Sequence, residues 1–381
     1  MKIGIDASIL EGTRTGVARY LKNILKCWAE DFPEHTYVLY FKNSIPEDSI
    51  VKNPVFQCKV SKASDLFKRG IIWQLYTIGV LARNDNLDIF YSPAYLLPLT
   101  KLKGKKAVGI WDIYFYVHPN FGSLRTRIYN RIFSKFTASQ AGIIFTPSLF
   151  DKNEIIKYFK VDPNKVWVTP LAPESKFTPL GDAGKGESFR NKYNFKHKYF
   201  LYVGLIINRR FQDVVIKAFQ EFLRLNPNEE IGLVIVGPNR TYPFIDIKAL
   251  IDRFNPQNAI KYIEYFPEDE MVSLYACAYA SIYLSSYEGE GIPLKEAMAC
   301  GLPVITSRVL KEMIGEDEAG YLVNDPASED ELLKVFNSLL NDEVKRAAII
   351  KKSLLQVKKF TWKACARETI QVFYEEAAKR A

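Results

Sequence analysis

Short apolar runs alternate with amphipathic stretches along almost the whole chain, and this alternation restricts its fold more than any other feature. In the first half the predicted strands are Lys2–Ile5, Tyr37–Tyr40, Ile89–Ser92, Ala107–Ile110, Gly142–Thr146 and Val166–Pro170. In the second half they are Tyr199–Val203, Gly232–Val236, Ile260–Tyr265, Ala280–Ser285 and Pro303–Thr306. Strands separated by helices form parallel sheets. The pattern therefore predicts an α/β protein with two Rossmann-like halves.

A segment rich in proline, glycine and charge, Ala172–Glu187, interrupts the alternation. We predict the domain boundary there, with a first domain over residues 1–178 and a second over residues 179–360. A chain of 381 residues with 48% hydrophobic residues is long enough for two cores. Parallel sheets bind ligands outside the carboxyl ends of their strands, so we expect the site in a cleft between the two domains.

The composition excludes several classes of protein. No apolar run approaches the roughly 18 residues of a membrane span. The chain starts directly on the strand Lys2–Ile5 without a signal peptide, which predicts a cytoplasmic protein. The cysteines show no C-x-x-C spacing, so buried thiols are expected at Cys27, Cys58, Cys277, Cys300 and Cys365. With only three histidines, a histidine-based metal centre is not expected.

Two carboxylates flank a glycine loop in the segment from Ser286 to Val304. Glu288 precedes Gly289 and Gly291, and Glu296 follows them. A proline just after the loop suits the first position of a helix, which puts Glu296 in the first helical turn. Backbone N–H groups at a helix N-terminus bind anions, and carboxylates accept hydrogen bonds from hydroxyl groups. The segment thus predicts a site for a ligand with both phosphate and hydroxyl groups.

This segment resembles the Glu-x(7)-Glu signature of retaining nucleotide-sugar glycosyltransferases of family 4, which have the GT-B fold. Further landmarks occur in the family's order: Ile5–Ser8, Thr15–Tyr20, Asp88–Pro93, Tyr202–Gly204 with Arg209 and Arg210, Leu233–Gly237, Asn324–Pro326 and Phe360–Trp362. The resemblance implies two Rossmann-like domains facing a cleft, with residues 361–381 as a helix returning to the first domain. It also implies transfer of a sugar from a nucleoside-diphosphate donor to a glycan or lipid-linked acceptor, in cell-envelope polysaccharide synthesis. No metal or other cofactor is expected.

The resemblance also implies individual roles. Arg209 and Arg210 would grip the donor diphosphate, where the family usually has Arg-Lys. Glu296 would bind the ribose, and Glu288 would contact the donor sugar near its reacting carbon. Backbone groups of the two glycine loops would hold the phosphates, at Gly16, Gly289, Gly291 and Ile292.

Two departures from the family pattern stand out. The loop usually reads Gly-Phe-Gly, but here Glu290 lies between the glycines. A third carboxylate repels phosphate unless it turns outward or meets hydroxyls or a basic partner. Many members also have His-Asp after the fourth strand, where this chain has Trp111 and Asp112. We interpret Trp111 either as a sugar-stacking platform or as core, and Asp112 as an acceptor contact or base.

Positive charge is concentrated in the first half of the chain. Residues 1–180 contain 25 Lys and Arg against 15 Asp and Glu, a net charge of +10, whereas the remainder carries −1. In the run Arg125–Phe136, a basic stripe (Arg127, Arg131, Lys135) adjoins an apolar one (Ile128, Ile132, Phe133, Phe136). A core helix with a solvated basic face gives the same pattern. With the charge excess we favour peripheral binding to an anionic membrane, on its inner face. No nucleic-acid module is recognisable.

Two other functions stay open from the sequence. One is a GT-B-fold nucleotide-sugar epimerase, which the scarcity of histidines disfavours. The other is a nucleotide-sugar-binding partner subunit with impaired catalysis, which Trp111 and Glu290 would suit.

Overall fold

The computed structural model of the protein describes residues 1–12, 16–118, 124–180, 183–196, 198–254, 258–315 and 318–379. The chain divides into two units. The first comprises Met1–Leu171 and Thr361–Ala381, and the second comprises Ala172–Phe360. The chain first passes from one unit to the other between Leu171 and Ala172, at the start of the segment predicted as a linker. That segment is not a linker throughout, because a helix begins at Ala183.

Parallel strands form the sheet of the first unit. They are β1 (Lys2–Asp6), β2 (Thr36–Phe41), β3 (Phe56–Val60), β4 (Ile89–Ser92), β5 (Lys105–Gly109), β6 (Ile143–Thr146) and β7 (Val166–Val168). Their order across the sheet is β3-β2-β1-β4-β5-β6-β7, and all neighbouring pairs are parallel. The inner strands β4 and β6 are buried along their whole length, as in sheets covered on both faces.

Helices connect these strands. They are α1 (Gly16–Asp31), α2 (Gly70–Ile72), α3 (Ile78–Ala82), α4 (Tyr114–Val117), α5 (Leu124–Gln140) and α6 (Leu149–Phe159). A π-helical segment over Trp73–Thr77 joins α2 to α3. In α1 the apolar residues Leu21, Ile24, Leu25 and Trp28 recur at the spacing of one helical face, and all four are buried.

The second unit repeats the same architecture with a smaller sheet. Its strands are β8 (Lys198–Val203), β9 (Ile231–Val236), β10 (Ile260–Ile263), β11 (Ala280–Tyr283), β12 (Val304–Ser307) and β13 (Tyr321–Val323), in the order β10-β9-β8-β11-β12-β13. The helices are α7 (Ala183–Tyr193), α8 (Gln212–Leu225), α9 (Ile247–Phe254), α10 (Met271–Ala276), α11 (Ile292–Ala299), α12 (Lys311–Ile314), α13 (Glu329–Asn341) and α14 (Glu343–Val357).

The core of the second unit lies on both faces of its sheet. Along β8, side chains alternate between the two faces, as the two-residue period of a strand requires. Phe200 belongs to a cluster with Phe219 of α8 and Phe336 of α13. The adjacent Leu201 belongs to a second cluster with Leu294 of α11. A sheet with helices packed on both faces confirms the predicted α/β class.

Two strands were missed from the sequence. β3 and β13 are edge strands, and each pairs with one neighbour only. Most of β3 is half-buried or exposed, so its sequence Phe-Gln-Cys-Lys-Val lacks the continuous apolar character of the inner strands. β13 is three residues long, which is too short for a periodic signal.

The C-terminal helix α15 (Trp362–Ala378) packs within the first unit. Thr361 caps it by accepting a hydrogen bond from the Ala364 N–H. The Trp28 indole N–H of α1 donates to the Ala366 carbonyl at 3.1 Å, and the Phe373 ring lies among first-unit aromatic rings. This contact between the two ends of the sequence could not be predicted from local pattern.

Each sheet has a point where its strand order reverses. β1 lies beside β4, and β8 beside β11; the connections from β1 to β2 and from β4 to β5 run in opposite directions, as do those from β8 to β9 and from β11 to β12. This opens a crevice at the carboxyl ends of the two central strands, where ligands of α/β sheets bind. The loops after β8 and β11 therefore define the candidate site of the second unit.

Candidate active site

Two arginines and a glutamate meet at the reversal point of the second sheet. The loop after β8 carries Arg209 and Arg210 in a short 3-10 turn, and the loop after β11 carries Glu288. Arg210 Nη2 lies 3.0 Å and its Nε 3.3 Å from Glu288 Oε2. Arg209 Nη2 lies 3.8 Å from the same oxygen. Three of the predicted site residues are thus brought together across two adjacent strands.

The Arg210 guanidinium is held on several sides. It donates to the Leu205 carbonyl at 3.2 Å and to the Tyr283 hydroxyl, and its Cζ lies 4.7 Å from the Tyr283 ring centroid. Only 8% of Arg210 is exposed. A guanidinium fixed by three groups loses little further freedom when it binds a phosphate, which favours an anion-binding role.

The charges of this cluster stabilise each other. Burial opposes the charged form of Arg210, but the Glu288 carboxylate together with Tyr283 and Tyr202 outweighs it, and the pKa of Arg210 is raised. Burial likewise opposes the ionised form of Glu288, yet Arg210 and Arg209 hold the pKa of its carboxyl below the usual range. The cluster is therefore ionised at neutral pH, with two cations against one anion.

Two glycines make room for this arrangement. Gly204 has a φ of +135°, and a Cβ there would lie 2.6 Å from Arg210 Nη1, so a side chain would displace the guanidinium. Gly291, at the N-terminus of α11, has a φ of +65°, and a Cβ there would lie 3.2 Å from Leu310. Both positions need glycine for a structural reason.

The helix that carries Glu296 starts earlier than predicted. α11 begins at Ile292, so Pro293 occupies its second position and Glu296 lies beyond the first turn, contrary to the prediction. The reason is Gly291, whose left-handed conformation turns the chain directly into the helix. Glu296 is 4% exposed and accepts a hydrogen bond from the Tyr275 hydroxyl at 3.1 Å. Gly289 and Gly291 are also buried, while Ile292 is half-buried.

The unexpected carboxylate of Glu290 has a basic partner. Glu290 is 6% exposed, and its Oε1 forms an ion pair with Nζ of Lys295, which has no exposed surface. The sequence left open whether Glu290 turns outward, contacts hydroxyl groups or pairs with a basic residue. In the structure it pairs with a basic residue.

The predicted residues of the first unit lie at or near its own reversal point. Gly16 is exposed and begins α1, while Arg14 and Thr15 lie outside the described residues. A Cβ on Gly16 would meet no atom of the described residues within 4 Å, so packing within them does not require glycine there. Trp111 donates its indole N–H to the Pro93 carbonyl at 2.6 Å, and its ring lies 4.4 Å from that of Tyr20. Asp112 accepts the Tyr114 N–H at 3.2 Å.

Sequence reasoning missed the residues that support the site. Tyr283, Tyr275 and Lys295 each contact one of its charged groups. A lysine inside an apolar helix signals an internal acidic partner, so Lys295 was recognisable. The two tyrosines looked like ordinary core residues and carried no such signal.

No group of three or more histidine, cysteine or acidic side chains able to hold a metal ion occurs among the described residues. Across the same part of the chain, the helices are too short or too polar to cross a membrane.

The two parallel-sheet, Rossmann-like units are those of the GT-B fold. The sequence model of the family glycosyl transferases group 1 matches residues 186–355 of this chain. The matched stretch contains both arginines and both glutamates of the site. The resemblance stated from the sequence is thereby confirmed.

Similar proteins support the assignment. The chain is 29% identical over 289 residues to O-antigen chain mannosyltransferase B of Escherichia coli, which covers 75% of this chain and 74% of that protein. It is 24% identical over 265 residues to O-antigen chain mannosyltransferase RfbU of Salmonella typhimurium, with 68% of each covered.

Solved structures share the fold. Sucrose-phosphate synthase from Thermosynechococcus elongatus superposes with a TM-score of 0.77 at 17% identity over the full length of both chains. HepE of Anabaena, solved with UDP and glucose, gives 0.73 at 15% identity over 98% of this chain and all of that one. WaaG, a glycosyltransferase involved in lipopolysaccharide biosynthesis, gives 0.72 at 15% identity, covering 98% and 99%.

Proposed function

We propose that this glycosyltransferase transfers a sugar, with retention of configuration, from a nucleoside-diphosphate donor to a glycan or lipid-linked acceptor of the cell envelope. The observation that carries the proposal is the cluster of Arg209, Arg210 and Glu288 at the reversal point of the family-matched unit. The relatives support the acceptor class, because two of them are named O-antigen chain mannosyltransferases. A mannosyl donor is therefore the first to test.

The arginines would bind the diphosphate. Negative charge grows on the leaving diphosphate as the bond from the sugar carbon to its phosphate oxygen breaks. A preorganised guanidinium stabilises that charge more in the transition state than in the ground state, which lowers the barrier. The N-terminus of α11, reached through Gly289, Gly291 and Ile292, would add backbone N–H groups.

The two carboxylates would bind hydroxyl groups. Glu288 would contact the donor sugar, since its charge is already balanced by the arginines and its oxygens can accept further hydrogen bonds. Glu296 would bind the ribose of the nucleotide. In a retaining transfer the acceptor oxygen bonds to the sugar on the face from which the diphosphate leaves, and its proton passes to that diphosphate.

The first unit would supply the acceptor side. Gly16 is exposed at the start of α1 and would face a phosphate, and Asp112 would contact an acceptor hydroxyl. Trp111 would present its half-buried ring to a sugar, since its N–H is already bonded to Pro93. No metal is proposed, because the arginines and the helix N-terminus offset the diphosphate charge.

A donor screen followed by a transfer assay tests this function. Thermal unfolding is measured with UDP-, GDP- and ADP-sugars, and a bound donor is expected to raise the midpoint. The stabilising donor is then incubated with acceptor and chelator. We expect transfer that survives chelation and is lost in Glu288→Ala. Binding without transfer would indicate the partner-subunit alternative, and conversion of the sugar without acceptor would indicate an epimerase.

The orientation of α5 supports binding to an anionic membrane. In its described second half, small side chains face inward, with Ser134, Thr137 and Ala138 buried. Two large apolar residues face outward, with Ile132 58% and Phe136 41% exposed, while Phe133 is half-buried. A helix that packs only for stability buries its large apolar residues, so this inverted pattern favours a docking surface.

Basic residues accompany these apolar ones. Arg131 and Lys135 are exposed next to them, and together they line an open groove of about 450 Å³ with Tyr116, Ser139 and Phe159. Arg127 and Ile128 of the predicted stripes have side chains outside the described residues. Apolar groups flanked by cations match the chemistry of an anionic bilayer.

Flotation with vesicles tests the membrane proposal. The protein is expected to float with anionic vesicles at physiological salt and not with neutral ones. The double variant Ile132→Glu/Phe136→Glu should stay at the bottom of the gradient. Leu225→Glu, at a 49% exposed position of the second unit, is the matched control and should float like the native protein. Equal behaviour of all three proteins with anionic vesicles would contradict the assignment of α5.

A further inference from the structure

A buried ion pair lies within the glycine loop and helix of the candidate site. Glu290 stands between Gly289 and Gly291, and Lys295 lies on α11, which the loop leads into. Lys295 is completely buried, its Nζ pairs with Glu290 Oε1, and the same ammonium lies 3.5 Å from the centroid of the Phe360 ring. The Glu290 carboxylate is thereby drawn into the protein interior.

Stability alone does not account for this pair. Removing two charges from water costs about as much as their attraction returns, and apolar residues of similar volume stabilise a core at least as well. In the family this loop position is usually phenylalanine. The chain therefore carries a carboxylate and an ammonium where an apolar side chain would serve for packing.

The charge of the pair matters because of where it lies. Glu290 is in the loop whose backbone would face the donor phosphates, where an uncompensated carboxylate would oppose an anionic ligand. Lys295 cancels that charge from inside the protein. Because the pair spans the junction of loop and helix, it also links the loop to the first turns of α11.

We propose that Lys295 is a positioning residue of the donor site, which neutralises Glu290 and draws its carboxylate into the interior, so that the glycine loop accepts a diphosphate. This inference rests on the proposed function. It concerns the affinity for the phosphate groups of the ligand rather than the stability of the domain.

The test compares the affinities for a nucleoside diphosphate and for its nucleoside by calorimetry. Lys295→Met removes the cation that pairs with Glu290 and is expected to weaken diphosphate binding roughly tenfold relative to nucleoside binding, with a smaller loss at high salt. Glu290→Gln introduces no new anion, so it should not weaken diphosphate binding. The double variant Glu290→Phe/Lys295→Met removes both charges and should bind like the native protein.

The different responses of the two single variants distinguish a role in diphosphate binding from a role in packing alone. If the pair only supported the fold, both single variants would lose affinity for diphosphate and nucleoside alike, and the proposal would be overturned. If Lys295→Met fails to fold, Glu290→Gln and the double variant still test the proposal. A loss of diphosphate affinity in either variant contradicts it. Lys105→Met, which breaks the mostly buried pair with Glu376 in the first unit, is the control and should leave the affinity ratio unchanged.

Failure of the proposed function would look different. A native protein that binds no nucleoside diphosphate refutes the function itself. A native protein that binds it, with a Lys295→Met variant of unchanged affinity ratio, refutes this inference alone.

Discussion

The two units have the same architecture but different chemistry at the carboxyl edges of their sheets. In the second unit this edge carries ionised groups that bond to each other, Arg209, Arg210 and Glu288. In the first unit the side chains at the end of β1 and after β5 form hydrogen bonds within the protein. Asp6 is buried and accepts hydrogen bonds from Ser8 and Trp73, and Trp111 donates to a backbone carbonyl.

A reversed strand order creates a place where a ligand can bind, but the side chains at that place determine which ligand binds. Paired charges held by a rigid frame suit a phosphate-bearing donor. Carboxylates and aromatic rings without a paired cation cluster suit a sugar or a hydroxyl acceptor. The distinction predicts that variants in the second unit affect nucleotide binding, whereas variants in the first unit affect turnover.

The largest effect is expected for Arg210→Ala. The affinity for the nucleoside diphosphate should fall about 100-fold, because a preorganised, charge-assisted donor is lost. Stability should fall by about 3 kcal/mol, because Glu288 is left buried without its main partner. Calorimetry and chemical denaturation measure the two effects. Arg224→Ala, which breaks the exposed pair with Glu221, is the control and should change neither. Native-like affinity in Arg210→Ala would remove the donor site from the second unit.

A smaller loss is expected for Glu296→Ala. Nucleotide affinity should fall about tenfold, since one charge-assisted acceptor of ribose hydroxyls is removed. The deoxyribonucleotide offers the matched comparison, because it lacks the hydroxyl and should bind native protein and variant more equally. An unchanged preference for the ribonucleotide would show that Glu296 serves Tyr275 and not the ligand.

Asp112→Asn should reduce turnover several-fold and leave nucleotide affinity unchanged. Asparagine can still accept the Tyr114 N–H, so this local hydrogen bond is kept while the negative charge is lost. Steady-state kinetics with varied acceptor measures the effect. Native turnover in the variant would show that Asp112 serves only to accept the Tyr114 N–H.

The smallest effect concerns acid stability. The pKa of Glu288 lies below its ordinary value of 4.5, so the ionised group stabilises the fold fully above that value. This stabilisation is lost as the pH falls through the folded-state pKa. Thermal unfolding between pH 3 and 6 should show a steeper acid decline in the native protein than in Glu288→Gln. Parallel curves would mean that Glu288 is not coupled to the arginines in solution.

Much of the fold was predictable because its inner strands are continuous apolar runs. β4, β9 and β11 are buried along their length, and their sequences show it. The edge strands β3 and β13 escaped prediction because half-exposed or very short strands lack that signal. The start of α11 was misplaced by one residue, since the conformation of Gly291 is set by the packing of Leu310 and Tyr283 around it.

The sequence by itself determined the α/β class, the resemblance to a family and the charged residues of the second unit, because apolar periodicity and short motifs are local properties. Only the tertiary structure decided which charges meet. Arg210 and Glu288 lie 78 residues apart and come together because β8 and β11 are neighbours in the sheet. The same holds for the burial of Lys295 under the ring of Phe360, since pairing and burial depend on which elements pack together.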